Sequence, residues 1–77
     1  MNEEEADLHT VNIASRAIQK HRDGDALTDL EVAAGAWVCS ELATKLQRLG
    51  PHYYLASQDL FLKGQEFERI QRVRDRG

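Results

Sequence analysis

Apolar residues recur along this chain at three- and four-residue intervals, and no alternating apolar/polar stretch is long enough to predict a strand. The first recurrence is Leu8, Val11, Ala14 and Ile18. It predicts a helix from about Glu4 to Arg22 with a narrow apolar stripe, diluted by Thr10, Asn12 and Ser15. Asp23-Gly24-Asp25 follows, with Gly24 placed to take the left-handed conformation that ends helices. The second recurrence is Val32, Gly35, Cys39, Leu42, Leu46 and Leu49, a 3-4-3-4-3 seam of the coiled-coil kind. Thr28-Asp29-Leu30-Glu31 precedes it and fits a capping box, in which hydroxyl and carboxylate each satisfy a backbone N–H. Gly50-Pro51 ends this second helix, which at 1.5 Å per residue is about 30 Å long. A third helix is predicted from Pro51 to about Arg74, with Tyr53, Ala56, Leu60, Phe67 and Ile70 as its main stripe and Gly64 on the same side.

The link at Gly50-Pro51 is short enough only for an antiparallel hairpin. Pairing about it sets Leu46 near Leu55, Leu42 near Leu60 and Gly35 near Phe67. The expected fold class is all-α: three helices with a long antiparallel hairpin, in a dimeric bundle. One domain spans 1–77, divided into an acidic N-terminal helix over 1–25, whose closeness of docking stays open, and a hairpin over 26–77.

A hairpin does not account for every apolar position. Trp37 projects roughly opposite the Val32–Leu49 seam, with Leu30, Ala33 and Ala34 beside it. The first half of the third helix is apolar all round: Tyr54 and Phe61 share one side, and Leu55, Leu62 and Val73 another. Such helices need cover on more than one side. The first helix supplies one cover, and a second chain is expected to supply the rest. The expected interface residues, toward a second copy or another protein, are Leu30, Trp37, Tyr54, Phe61 and Leu62, with Arg69 and Arg72 as rim charges. Aromatic anchors are enriched at the energetic centres of interfaces.

Length sharpens this expectation. A chain of 77 residues is a single unit that hides only about 60% of its extended surface. Cys39 is its one cysteine, which rules out an internal disulfide, a Cys-x-x-Cys pair and a zinc ribbon. Oligomerisation is the remaining way to add stability. At 42% hydrophobic and 30% charged, the chain is too apolar for a disordered tail.

Charge narrows the partners. Thirteen acids against ten bases give −3, unlike a general nucleic-acid binder. Residues 1–31 carry eight acids and three bases, and residues 32–77 carry five acids and seven bases. Helix-dipole matching accounts for this polarity, and a bipolar surface that orients a partner is the sharper alternative. Arg69, Arg72 and Arg76 share one side of a helix; Arg74 lies off that row. Solvated C-terminal arginines, an acidic protein partner and weak phosphate contact are the readings in that order. A helix-turn-helix does not fit, because the helix after Gly50-Pro51 opens with Tyr53-Tyr54-Leu55.

No catalytic, cofactor or metal site is expected. Cys39 sits on the apolar seam without a histidine at helical spacing, so it reads as an inert buried thiol. His9, His21 and His52 fall on different elements. Asp23-Gly24-Asp25 resembles a fragment of a calcium loop, but the twelfth position counted from Asp23 is Ala34, which offers no side-chain oxygen. Glycine-rich phosphate cradles and nucleophile elbows are absent from the sequence. Met-Asn-Glu-Glu-Glu-Ala-Asp is the opposite of a basic, apolar secretory start, and no apolar run approaches the ~20 residues that span a bilayer. A cytoplasmic protein with a reduced thiol and no membrane contact is the expectation.

Thr28-Asp29-Leu30-Glu31-Val32-Ala33-Ala34, then Leu49-Gly50-Pro51, then Tyr53-Tyr54-Leu55-Ala56 and an arginine-containing end form a pattern over 26–74. It resembles small phage and prophage proteins of Gram-negative hosts, and within them the phage anti-quorum-sensing proteins. The resemblance implies a cytoplasmic helical homodimer, in the host cell, that binds a host transcriptional activator of quorum sensing; some members block the assembly ATPase of type IV pili. The acidic helix over 1–25 departs from that pattern. A non-enzymatic inhibitor that occupies a host protein's interface is therefore the leading expectation. A small nucleic-acid-associated regulator using the C-terminal arginines, and another class of phage inhibitor or structural component, are the alternatives.

Overall fold

The structure, a computed structural model, describes the backbone of residues 3–76 and the side chains of residues 8–76. The acidic side chains of Glu3, Glu4, Glu5 and Asp7, and the Met1–Asp7 reading as a non-secretory start, lie outside the described side chains. The described chain is all-α: α1 (Glu3–Asp23), α2 (Asp29–Leu49) and α3 (Tyr54–Arg76), with a single 3₁₀ turn at Pro51–Tyr53 between the last two. No described helix is long and apolar enough to cross a membrane.

Each boundary has a local cause. α1 ends in a Schellman motif: the Asp25 N–H donates to the Lys20 carbonyl at 2.9 Å and the Gly24 N–H to the His21 carbonyl at 3.3 Å. Gly24 takes φ +78°, which a side chain would oppose. The capping box is formed as the sequence predicts. The Glu31 N–H donates to Thr28 Oγ1 at 3.1 Å, and the Thr28 N–H donates to Glu31 Oε1 at 2.9 Å. Gly50 ends α2 at φ +129°. Pro51 then starts the 3₁₀ turn, in which the Tyr53 N–H donates to the Gly50 carbonyl at 3.2 Å. α3 thus begins three residues later than the proline, because the turn consumes Pro51–Tyr53 in reversing the chain.

α2 is the central helix and packs on both neighbours. Val32, Ala36 and Cys39 meet Phe67 of α3 and Ala17 of α1 in one buried cluster, which Ile18, Leu27, Leu60 and Ile70 partly cover. A second cluster joins Ala14 of α1 to Ala34 and Val38 of α2. Alanine dominates the core: Ala14, Ala17, Ala34, Ala36 and Ala43 are all buried. Small side chains let helix axes approach closely, so these helices pack tightly with little side-chain volume between them.

Several expected contacts are corrected. Gly35 does face Phe67. However, Leu42 and Leu49 leave the seam, at 39% and 66% exposed, and Ala43 takes the buried position. A straight helix drifts about 20° per heptad away from a strict seven-residue repeat, which carries the later leucines off the contact line. Leu55 is 81% exposed and has no place beside Leu46. In α3 the buried stripe starts at Ser57, not at Tyr53 and Ala56, which are exposed. The Ser57 hydroxyl donates to the Ala43 carbonyl at 2.9 Å, so a polar group sits in the interface with its hydrogen bond made. In α1, Leu8 and Val11 are exposed, and the contact stripe is Ala14, Ala17 and Ile18 with Ile13 alongside. α1 is docked on the hairpin: Ala14 and Ala17 are fully covered.

Two polar ties close the end where α1 leaves and α3 finishes. Lys20 Nζ lies 3.0 Å from Glu31 Oε2, so the capping carboxylate also anchors α1. Arg74 donates to Asp29 Oδ1 and to the Leu27 carbonyl, both at 2.8 Å, pinning the last turn of α3 to the start of α2.

Candidate interaction surfaces

The distribution of apolar residues is inverted relative to the core. Phe67 apart, the aromatic side chains and several leucines are outside, among them Leu30 (64% exposed), Trp37 (52%), Tyr54 (57%), Phe61 (49%) and Leu62 (59%). Scattered apolar residues are ordinary on a surface, but contiguous ones are not. The five expected apolar residues are all exposed, and they divide between two surfaces.

The first surface belongs to α2 and α1. Leu30, Ala33 and Trp37 form a ridge at the four- and three-residue spacing of one helix face. A groove between α1 and α2 is lined by His9, Thr10, Ile13, Leu30, Ala33 and Trp37, with Ala34 at its floor. Trp37 also lines a neighbouring groove with Val11, Val38 and Leu42, whose edge carries Glu41 and Lys45. Leu30 and Ala33 in turn line a cleft toward Gln71, Arg74 and Asp75 of α3. The apolar pattern places Ala33 beside Trp37 but does not mark His9, Val11 or Ile13 as surface partners of that face. The signal available in the sequence was that Ile13 and Val11 flank the Ala14–Ala17 contact line and so edge it.

The second surface is the outer side of α3. Tyr54 and Phe61, two turns apart, are both exposed there, and the Gln58 amide donates to the Tyr54 hydroxyl at 3.2 Å. Leu62, Gln65, Glu66, Glu68, Arg69 and Arg72 line a shallow groove along the same helix. The structure thus brings Leu62 together with Arg69 and Arg72, and keeps them apart from Leu30 and Trp37.

The arginines of the C-terminal end divide by role. Arg69 pairs with Glu66, one turn away. Arg74 is committed to Asp29 and Leu27. Arg72 and Arg76 have no ion pair among the described residues. Lys63 pairs with Asp59 at 2.5 Å on the opposite edge of α3.

The titratable groups inside the fold are structural. Glu31 is held below the usual carboxylate range, chiefly by the Thr28 backbone N–H and then by Lys20. Burial pushes the Cys39 thiol up, against a weaker pull from Lys63. Cys39 is fully covered and its nearest chemistry is hydrocarbon, so it offers no thiolate to solvent. Among the described residues no three His, Cys, Asp or Glu side chains converge as metal ligands.

No protein-family model, curated protein or solved structure matches the chain.

Proposed function

We propose that this chain is a non-enzymatic protein-interaction module that blocks a host protein by occupying one of its interfaces. The observation that carries this reading is the outer side of α3: Tyr54, Phe61 and Leu62 stand exposed on a rigid helix beside Arg69 and Arg72. Aromatic and arginine side chains are the types enriched at interface centres, and an exposed helix face suits a hydrophobic groove on a partner. Arg72 and Arg76 favour a partner whose groove has an acidic rim.

The resemblance over 26–74 narrows the proposed target to a host regulatory protein such as a quorum-sensing transcriptional activator, with the chain acting as a phage or prophage inhibitor in the host cytoplasm. The competing nucleic-acid reading is weakened by Arg74, which is engaged with Asp29 and the Leu27 carbonyl within the chain and so shrinks the cation set open to phosphate.

The test is co-expression with the activator and a quorum-sensing reporter, followed by co-purification. The parent chain is expected to silence the reporter and retain the activator on the column, and Phe61→Asp to lose both while keeping its helical circular dichroism. A parent that leaves the reporter active and the activator unbound rejects the quorum-sensing target. A Phe61→Asp variant as inhibitory as the parent rejects the α3 face.

A further inference from the structure

The hairpin of α2 and α3 is fastened by contacts that leave α1 out. Gly35 lies under Phe67, Gly64 lies against Cys39 and the Ser40 backbone, and the Ser57 hydroxyl donates to the Ala43 carbonyl. Arg74 ties the far ends together through Asp29 and the Leu27 carbonyl. We propose that α1 is a releasable strap over an apolar face of α2, and that an amphipathic helix of a partner protein takes its place there. The inference uses a different face from the α3 reading and stands whether or not that reading holds.

Three observations carry it. The first is how lightly α1 is held. Among its described side chains only Ala14 and Ala17 are buried, and each contributes a single methyl group. Ile13 and Ile18 are half-buried, whereas Leu8 and Val11 are mostly turned to solvent. Elements with so little buried apolar contact open at lower cost than the whole fold. Gly24, Asp25 and Ala26, which join α1 to α2, are exposed, and the space around Gly24 is open, so α1 can swing out without dragging α2.

The second is what lies beneath. Ala14 covers Ala34 and Val38, and Ala17 joins Val32, Ala36, Cys39 and Phe67 in the main cluster. On α2, Ala34 and Val38 adjoin Leu30, Ala33 and Trp37, which already line the open grooves. Lifting α1 therefore merges covered and uncovered positions into one apolar face at three- and four-residue spacing. Such a face is the seat of an amphipathic helix.

The third is charge. The Glu31 side chain is 7% exposed, and Lys20 of α1 faces it at 3.0 Å. A nearly covered carboxylate needs a paired cation, so whatever replaces α1 must bring one. The seat thus specifies its occupant: a helix with small apolar side chains three apart, as Ala14 and Ala17 are, and a lysine or arginine three residues on, as Lys20 is. Glu41 and Lys45 at the edge of the groove beside Trp37 add one charge of each sign. An aliphatic small molecule or an anionic lipid surface would leave Glu31 unpaired.

A labelled peptide of residues 3–25 carries this pattern and serves as the probe. In native-state hydrogen exchange of the parent, amides 14–21 should exchange together, about tenfold or more faster than amides 38–43 and 64–67. Lys20→Gln should speed the first group alone. Ala17→Glu should strip α1 of protection, leave the α2–α3 amides protected, and bind the peptide about tenfold or more tightly than the parent, whose own α1 competes for the seat. A peptide with Lys20→Glu should not bind. Amides of α1 that exchange no faster than those of the hairpin overturn the proposal, and so does a parent that binds the peptide as tightly as Ala17→Glu. If Ala17→Glu loses its helical signal, recovery on adding peptide supports the proposal and no recovery overturns it. A parent that sediments at twice its mass and becomes monomeric in Ala17→Glu would give the seat to α1 of a second copy, which also overturns it.

Discussion

Phe67 packs against Gly35 so closely that its ring occupies the space of a side chain there. A Cβ added at position 35 would stand 2.9 Å from Cδ2 and Cε2 of the ring, which is itself 1% exposed and without room to retreat. This contact limits how far apart α2 and α3 can be spaced, and the His21 ring of α1 also meets Phe67, tilted by 50° at a centroid separation of 5.5 Å. Gly64 is a different glycine. A Cβ there meets Cys39 Cβ at 3.4 Å, an ordinary contact.

The two glycines therefore respond oppositely to alanine. Gly35→Ala gains about 1 kcal/mol of helix propensity, but the 2.9 Å clash with a buried ring puts its overpacking cost toward about 3 kcal/mol, for a net destabilisation of about 1–2 kcal/mol. Gly64→Ala keeps the propensity gain without the clash and is expected to be neutral or stabilising. Phe67→Ala, which empties the site, should cost about 3–5 kcal/mol. Urea unfolding followed by circular dichroism ranks the three; equal effects at the two glycines would refute the close approach at Gly35.

Glu31 makes the fold acid-sensitive. Its folded pKa is lowered below that of an unfolded glutamate, by the Thr28 N–H first and Lys20 next. Its stabilising contribution is therefore complete above about pH 4.3, the unfolded value, and fades as pH falls through the depressed folded value. The urea midpoint should drop between pH 6 and pH 3, and Glu31→Gln should shrink that drop, since the amide keeps the Thr28 contact and loses the charge pair with Lys20. An unchanged acid loss in Glu31→Gln would assign it to other carboxylates.

Arg74 ties an exposed terminus, and its partner Asp29 has a side chain 92% exposed. Solvent screening limits such a pair to about 0–1 kcal/mol. Arg74→Ala should shift the global midpoint little and should speed amide exchange in the last turn of α3. A loss above about 2 kcal/mol would show that the pair acts cooperatively with the core.

Cys39 should resist thiol reagents. It is fully covered, and burial raises its pKa, so both access and ionisation oppose attack. Labelling in native buffer should be on the order of a hundredfold slower than in urea, because it waits for opening of the α2–α3 contact. Equal rates would place the thiol at the surface.

Much of this fold is written in local sequence. Thr28 and Glu31 specify their cap, Gly24 its left-handed turn, and Gly50-Pro51 the reversal, because each depends on neighbours within a few residues. The opposition of Gly35 and Phe67 follows from counting back from that reversal. The pattern fails where contact is made by small or polar residues. Ala17 and Ala43 are buried because helices approach closely there, yet alanine carries little hydrophobic signal. Ser57 is buried because the Ala43 carbonyl accepts its hydroxyl, a partner fourteen residues away that no periodicity reveals. The leucines at 42 and 49 mislead for the converse reason: they are strongly apolar and lie at coiled-coil spacing, but the helix rotates them away. For the surfaces, the sequence exposes the surplus of Trp37, Tyr54, Phe61 and Leu62 over what a hairpin covers. The grooves beside them need α1 in place, so His9 and Ile13 emerge only from the packed structure.

The account rests on a folded chain that keeps small residues inside and holds large ones out for other surfaces. Hydroxyl-radical footprinting of the dilute chain reads this directly, residue by residue. The prediction is rapid oxidation of Trp37, Tyr54, Phe61 and Leu62 and strong protection of Phe67. Tyr54 and Phe61 as protected as Phe67 in the dilute chain would place those rings in the chain's own interior and contradict the account.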